Sequence, residues 1–193
     1  FASELGPYMQ QMVAFTTTNG PQGYAVDRFP PGIVSAADCS PLPSGQIVPN
    51  WMYEAHEPQS ALAFPSDDGT GKPVALEIPA LSSGFILLHA HNTGAEVVKT
   101  KAKLVVEPLA NAVYTKTDTY TTFRTQLAIP PQTNGAVETR SCATPPGAQF
   151  WWLSTLTHER GVRTDVFDDR DPVLTSLDWA HPATETLTQP PYR

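Results

Sequence analysis

Two histidines two residues apart, His89 and His91, are the residues best suited to chemistry in this sequence. His89 lies near the end of the run 84–90, which predicts a β-strand, and His91 directly follows that run. Residues two apart on a strand point to the same face, with Cα atoms about 6–7 Å apart, so both imidazoles can reach one metal ion. Metal sites usually need three or four ligands. The alternative interpretation is structural, with one histidine in the core and the other near solvent at the strand end.

The other three histidines are weaker candidates. His158 follows the aromatic and β-branched run 149–157, where it is either a remaining metal ligand or a structural residue at a strand exit. His56 belongs to a polar, turn-like stretch and is expected to be solvated. His181 precedes Pro182, which favours an extended backbone, and is expected in a connection. The candidate metal ligands are therefore His89, His91 and His158.

Short strands joined by turns are the elements expected to position these histidines. Of the 193 residues, 40% are hydrophobic and only 16% are charged, and 20 are prolines. Such a composition disfavours long helices and favours strands with rigid turns. We therefore predict an all-β fold, an antiparallel jelly roll or β-sandwich. Apolar or alternating runs predict strands at 8–15, 76–78, 84–90, 101–107 and 149–157.

The chain is expected to divide near Arg124, shortly before Ile129-Pro130-Pro131. Residues 1–124 would form a first jelly-roll-like domain, and residues 125–193 the start of a second, similar one. Prolines and a change in strand pattern are typical of such a boundary.

Within the second part, residues 161–167 are expected to form a hairpin with the strand at 149–157. The Asp- and Pro-rich residues 168–193 are expected to form a surface connection or tail. The acidic turn between Asp165 and Asp171 lacks the regular spacing of a calcium loop and is expected to be solvated. Trp151 is expected to pack between the two parts of the chain rather than to form an exposed binding surface.

The net charge of −7, with no basic cluster, argues against a nucleic-acid partner and against an anionic membrane surface. No apolar run is long enough for a transmembrane helix. The chain begins Phe-Ala-Ser-Glu-Leu, without an initiator Met or a signal-peptide pattern. This start predicts either a processed mature protein or a piece of a longer precursor.

Two cysteines, Cys39 and Cys142, leave the redox compartment open. If they pair, they close a loop of roughly a hundred residues, worth about 4–5 kcal/mol in the chain-entropy model. The alternatives are two buried thiols or pairing with cysteines outside this chain. An oxidising compartment is the interpretation we favour, so the protein is expected to be secreted, extracellular or periplasmic.

Eight segments along most of the chain match, in order and spacing, segments of one known protein family. They are Gln10–Val13, Asp38-Cys39-Ser40 with Trp51, Leu62–Pro65, Phe85–Asn92, Ile129-Pro130-Pro131, Cys142, Leu156–Gly161 and Asp178–Pro182. In these segments the chain resembles the copper type II, ascorbate-dependent monooxygenases, the family of peptidylglycine α-hydroxylating monooxygenase and dopamine β-monooxygenase. The resemblance begins inside the family's first domain and stops before its second is complete.

The resemblance implies two antiparallel jelly-roll domains, each with one copper ion. One ion, held by three histidines, would store an electron, and the other, held by two histidines and a methionine, would bind oxygen and hydroxylate a C–H bond of a small molecule. Ascorbate would reduce both. Imidazole and thioether ligands suit both oxidation states of copper.

Most of the copper ligands that the resemblance implies are replaced in this sequence. Gln10 and Gln11 stand where the first site has histidines, which leaves His89. Leu156 stands where the second site has the first histidine of a His-x-His motif, which leaves His158. The family's last ligand, a methionine, lies beyond the matching region. An amide oxygen is a poor ligand for reduced copper.

Three functions follow, and whether the chain is an enzyme stays open. The interpretation we favour is a catalytically eroded relative of the copper monooxygenases with a binding or structural role and a residual metal site. The second is an active copper hydroxylase whose missing ligands come from beyond Arg193, from another chain, or from a rearranged set. The third is a surface or assembly protein that binds other chains through strand edges and loops. The rearranged set would comprise His56, His89, His91 and His158.

Overall fold

A computed structural model describes residues 1–17, 50–80, 82–110, 113–122, 129–157 and 161–186. Within these ranges the chain forms β-strands and no helix. The strands are β1 (Ala2–Leu5), β2 (Met9–Thr17), β3 (Asn50–Ala55), β4 (Gln59–Ala61), β5 (Val74–Leu76), β6 (Ser83–Ala90), β7 (Ala102–Val105), β8 (Thr115–Thr117), β9 (Trp152–Ser154), β10 (Thr164–Asp168), β11 (Asp171–Ser176) and β12 (Thr184–Thr186). The all-β prediction is confirmed.

Two antiparallel three-stranded sheets form the centre of the molecule. One has the order β4-β1-β7, with Ala2 paired to Ala61 on one side and to Val105 on the other. The second has the order β3-β2-β6. There β2 lies in the middle, with Ala14 paired to Tyr53 of β3 and to Ile86 of β6. The two sheets are consistent with the predicted β-sandwich, whereas the jelly-roll order of strands stays a prediction.

The main core lies between these two sheets. Met12 and Ala14 of β2 and Tyr53 and Ala55 of β3 pack with Leu5 of β1. Side chains on a strand alternate between its faces, so the four residues of β2 and β3 share one face of the β3-β2-β6 sheet, and Leu5 packs on that face from the other sheet. All five are buried.

The opposite face of β2 is buried as well. Gln11, Val13 and Phe15 alternate with the core residues and are equally inaccessible to solvent. A central strand covered on both faces explains the unbroken apolar run from Met12 to Phe15, because each face must then be apolar.

The remaining strands form three pairs. Strands β5 and β8 pair in parallel, β9 pairs with β12, and β10 pairs with β11. The predicted hairpin between 161–167 and 149–157 is therefore wrong. The run at 149–157 forms only the short strand β9, whose Ser154 pairs with Thr184 of β12.

The prediction that residues 168–193 form only a connection or tail is also wrong, because β11 and β12 lie there. The tight turn at Asp169 explains the difference. Asp169 has a φ of 51°, and an aspartate tolerates this left-handed conformation better than most residues. The chain can therefore reverse at once, pairing Asp168 with Asp171.

The predicted domain boundary at Arg124 lies outside the described residues. Contacts nevertheless join the parts on either side of it. The ring of Trp151 lies 4.8 Å from that of Phe64, and its Nε1 donates a hydrogen bond to Oγ1 of Thr117 at 3.1 Å. Trp151 thus packs between the two parts of the chain, as expected.

Candidate functional site

His89 lies near the end of β6, directly opposite Gln11 of β2. Along β6, Phe85, Leu87 and His89 are half-buried, whereas the residues between them are exposed. The strand period therefore directs His89 to the inner side of β6, towards the face of the sheet that also includes Gln11. The Nε2 atom of His89 is buried.

His91 lies just past the end of β6 and is exposed. Its backbone N–H donates to the carbonyl oxygen of Tyr8 at 2.8 Å. Its Nδ1 atom lies 3.5 Å from Nε2 of Gln10. The pairing of β2 with β6 is irregular between Met9 and Gln11, so Gln10 is displaced from the ladder.

The two histidines therefore have different neighbours: His89 lies beside Gln11, and His91 beside Gln10. His158 lies outside the described residues. In the part of the chain that the structure describes, no three side chains among His, Cys, Asp and Glu are grouped so that they could hold a metal ion. The sharing of one ion by His89 and His91 stays a prediction.

The residues present do not fit the copper site that the resemblance implies. That site needs three imidazoles, and here an amide, that of Gln11, directly faces His89. Amide oxygens are hard ligands and suit reduced copper poorly.

The structure reveals a buried polar cluster that sequence reasoning missed. It comprises Glu54, His56 and Ser154. Glu54 is the middle one of the three buried residues that end β3, His56 directly follows that strand, and Ser154 belongs to β9. The Glu54 and His56 side chains are only 4% and 11% exposed, and Oε2 of Glu54 lies 4.0 Å from Nε2 of His56. The Ser154 hydroxyl donates a hydrogen bond to Oε1 of Glu54.

His56 is therefore not the solvated residue that its polar surroundings predicted. Ala55 pairs with Met12, so His56 follows one step later, next to Gln11 on β2. Nε2 of His56 and Nε2 of Gln11 are both buried and have no hydrogen-bond partner among the described residues. A sequence signal did exist, because Glu54 and His56 are two residues apart and share a strand face.

Burial dominates the electrostatics of this cluster. Loss of solvation disfavours the charged carboxylate and raises the pKa of Glu54 above its ordinary value, and His56 opposes the rise only in part. A carboxyl group with a raised pKa holds its proton to higher pH than an exposed one. The cluster is therefore suited to binding a proton.

The other polar groups singled out by the sequence lie at the surface. The imidazole of His181 lies between Asp178, at 3.0 Å from Nδ1, and Glu57, at 3.9 Å from Nε2, and these carboxylates raise its pKa, with Asp178 the larger cause. The acidic turn after Asp165 is exposed from Asp168 to Asp171, as predicted. These side chains are therefore exposed to solvent and do not form an enclosed site.

Cys142 is exposed, and its thiol is free. Cys39, its predicted alternative partner, lies outside the described residues. Burial of the thiol, which one alternative predicted, is therefore wrong for Cys142, whereas its pairing with Cys39 stays a prediction.

Comparison with protein-family models, with curated proteins and with solved structures found no match. The likeness to the copper monooxygenases consequently rests on the sequence segments alone. Within the described ranges, no helix has the length and apolar character needed to cross a membrane.

Proposed function

We propose that this chain is an extracellular β-sandwich module of the copper-monooxygenase type that has lost copper chemistry and serves a binding or structural role. The supporting observation is the position of Gln11, which directly faces His89 across the β2–β6 ladder. A redox copper ion at this place would need an imidazole there. The extracellular location rests on the resemblance.

The chemistry of hydroxylation supports the loss of activity. The reaction requires one site that supplies an electron and a second that binds oxygen, so a defect in either stops it. At the electron-supplying site, the two positions on β2 where the family has histidines carry the amides Gln10 and Gln11. At the second, Leu156 replaces an imidazole, and its exposed side chain offers no metal ligand.

Copper titration followed by electron paramagnetic resonance tests this proposal. We expect at most one weakly held cupric ion per chain, and no oxygen consumption when ascorbate is added. If the His-x-His pair provides the residual site, His89→Ala and His91→Ala each abolish it. His181→Ala is the matched control, because His181 is a surface histidine away from β6. Two tightly bound ions with ascorbate-driven oxygen uptake would refute the proposal.

A substitution that adds the missing imidazole provides a second test of the proposal. Directly opposed residues on antiparallel strands have Cα atoms about 4.5–5.5 Å apart, so a histidine at position 11 faces His89 closely. We expect Gln11→His to bind copper more tightly than the parent chain. The same affinity in both would show that Gln11 is not what weakens the site.

A second candidate function, pairing between two copies of the chain, is supported by the side of β6 with which no described strand pairs. Among the described strands β6 pairs only with β2, so it forms an edge. Ile86 and Leu88 on it are exposed, and residues 83–91 contain no Asp, Glu, Lys or Arg. Edge strands usually carry charges that prevent such pairing. Sedimentation over a range of concentrations should show self-association that Leu88→Lys abolishes; a monomer at all concentrations excludes this function.

A further inference from the structure

Glu54 is a buried acid at a contact between two parts of the chain that are distant in sequence. It belongs to β3, and its carboxylate accepts the hydroxyl of Ser154 from β9, 100 residues further along. Trp151, three residues before Ser154, attaches the same segment to Thr117 and Phe64. Residues 150–154, defined here as the β9 segment, therefore contact the β3-β2-β6 sheet partly through an ionisable group.

Few groups can stabilise a charge on Glu54. Glu54 pairs with Val13 of β2, which pairs in turn with Leu87 of β6, and both of these residues are apolar. His56 is the nearest titratable side chain, 4.0 Å away. Within the described strands, the other titratable group on this face is His89, which pairs with Gln11, two residues before Val13 on β2. The β9 segment itself adds only the neutral donor Ser154.

We propose that Glu54, buried beside His56, binds a proton while the contact with Ser154 is closed, and that loss of this proton loosens the β9 segment from the β3-β2-β6 sheet. A deprotonated Glu54 that stays buried lacks solvation, whereas opening of the contact with Ser154 admits water to the carboxylate. The contact is therefore tightest when the proton is bound. This inference does not rest on the residual site proposed at His89 and His91.

Linkage fixes the sign of the effect. The closed contact binds the Glu54 proton more tightly than the open one, because burial raises the pKa of Glu54. Closure is then strongest at low pH and weakens as the pH rises from the ordinary glutamate value to the raised one. The open fraction grows by up to about tenfold per pH unit in this window and is constant above it.

Nuclear magnetic resonance of the whole chain tests the proposal with two readouts. The side-chain carboxyl carbon of Glu54 should titrate at higher pH than an ordinary glutamate. Glu185, which is exposed on β12, serves as the control position for substitution. The indole N–H of Trp151, corrected for intrinsic exchange, should lose protection from hydrogen exchange by up to about tenfold per pH unit over the same range. Glu54→Gln should abolish this slope, and Glu185→Gln, the matched control, should retain it.

Two results would overturn the proposal. One is a Glu54 carboxyl that titrates at the ordinary glutamate value. The other is a protection slope that is absent from the parent chain or that persists in Glu54→Gln. If Glu54→Gln does not fold, Ser154→Ala decides the matter. It removes the contact between the carboxylate and the β9 segment, so the pH slope of Trp151 protection should flatten, and an unchanged slope also counts against the proposal.

Discussion

Phe15 should be one of the most sensitive positions for stability in the chain, and Phe15→Leu measures how much its ring contributes. Its side chain is 2% exposed. The ring stacks on Phe85 with centroids 4.8 Å apart and contacts Trp51 with centroids 5.5 Å apart. These contacts join all three strands of the β3-β2-β6 sheet on its second buried face.

The magnitude follows from these two ring pairs. Leucine keeps much of the apolar burial but removes both aromatic contacts, each worth about 0.5–1.5 kcal/mol beyond burial. We therefore expect Phe15→Leu to lower the free energy of unfolding by about 1–3 kcal/mol. Phe167→Leu is the matched control, since Phe167 on β10 is 54% exposed and should change stability by less than about 0.5 kcal/mol.

Urea unfolding provides the assay, followed by tryptophan fluorescence and by far-ultraviolet circular dichroism. The fluorescence of Trp51 should report the change directly, because its ring contacts Phe15. Coincident transitions would establish two-state unfolding, which the comparison of free energies requires. Equal effects of Phe15→Leu and Phe167→Leu, with unchanged urea dependence, would show that the ring contacts do not stabilise this face.

Three further perturbations test separate parts of the structure. His56→Ala should raise the pKa of Glu54 further, since His56 opposes the effect of burial. It should therefore lower the free energy of unfolding most above the ordinary glutamate pKa. Titration of the Glu54 carboxyl carbon resonance and urea unfolding check these effects, and a lowered pKa of Glu54 would contradict them. Tyr53→Phe should cost about 0.5–1.5 kcal/mol in urea unfolding because it removes the buried hydrogen bond between the Tyr53 hydroxyl and Ser3 Oγ, 2.9 Å apart, and adding Ser3→Ala should recover part of the loss rather than double it. The exposed thiol of Cys142 should react with a maleimide in the folded protein, as peptide mapping would show, whereas protection that reductant removes would establish a disulfide.

The strands with strong local patterns could be predicted from the sequence. The run from Met12 to Phe15 predicted a strand, and β2 includes it because an apolar run of β-forming residues suits a strand buried on both faces. The pattern at 84–90 similarly marked β6 to within one residue. The pairing of β9 with β12 could not be predicted, because their register depends on contacts between residues about 30 apart and on the tight turn at Asp169.

The candidate site divides in the same way. The amino-acid types alone determined that positions 10 and 11 carry amides and that position 89 carries an imidazole. The tertiary structure alone decided that His89 faces Gln11, that His91 turns to Gln10, and that Ser154 contacts Glu54. The physical reason is that ligand chemistry belongs to a side chain, whereas burial, and with it the raised pKa of Glu54, arises only when distant strands exclude water from the same place.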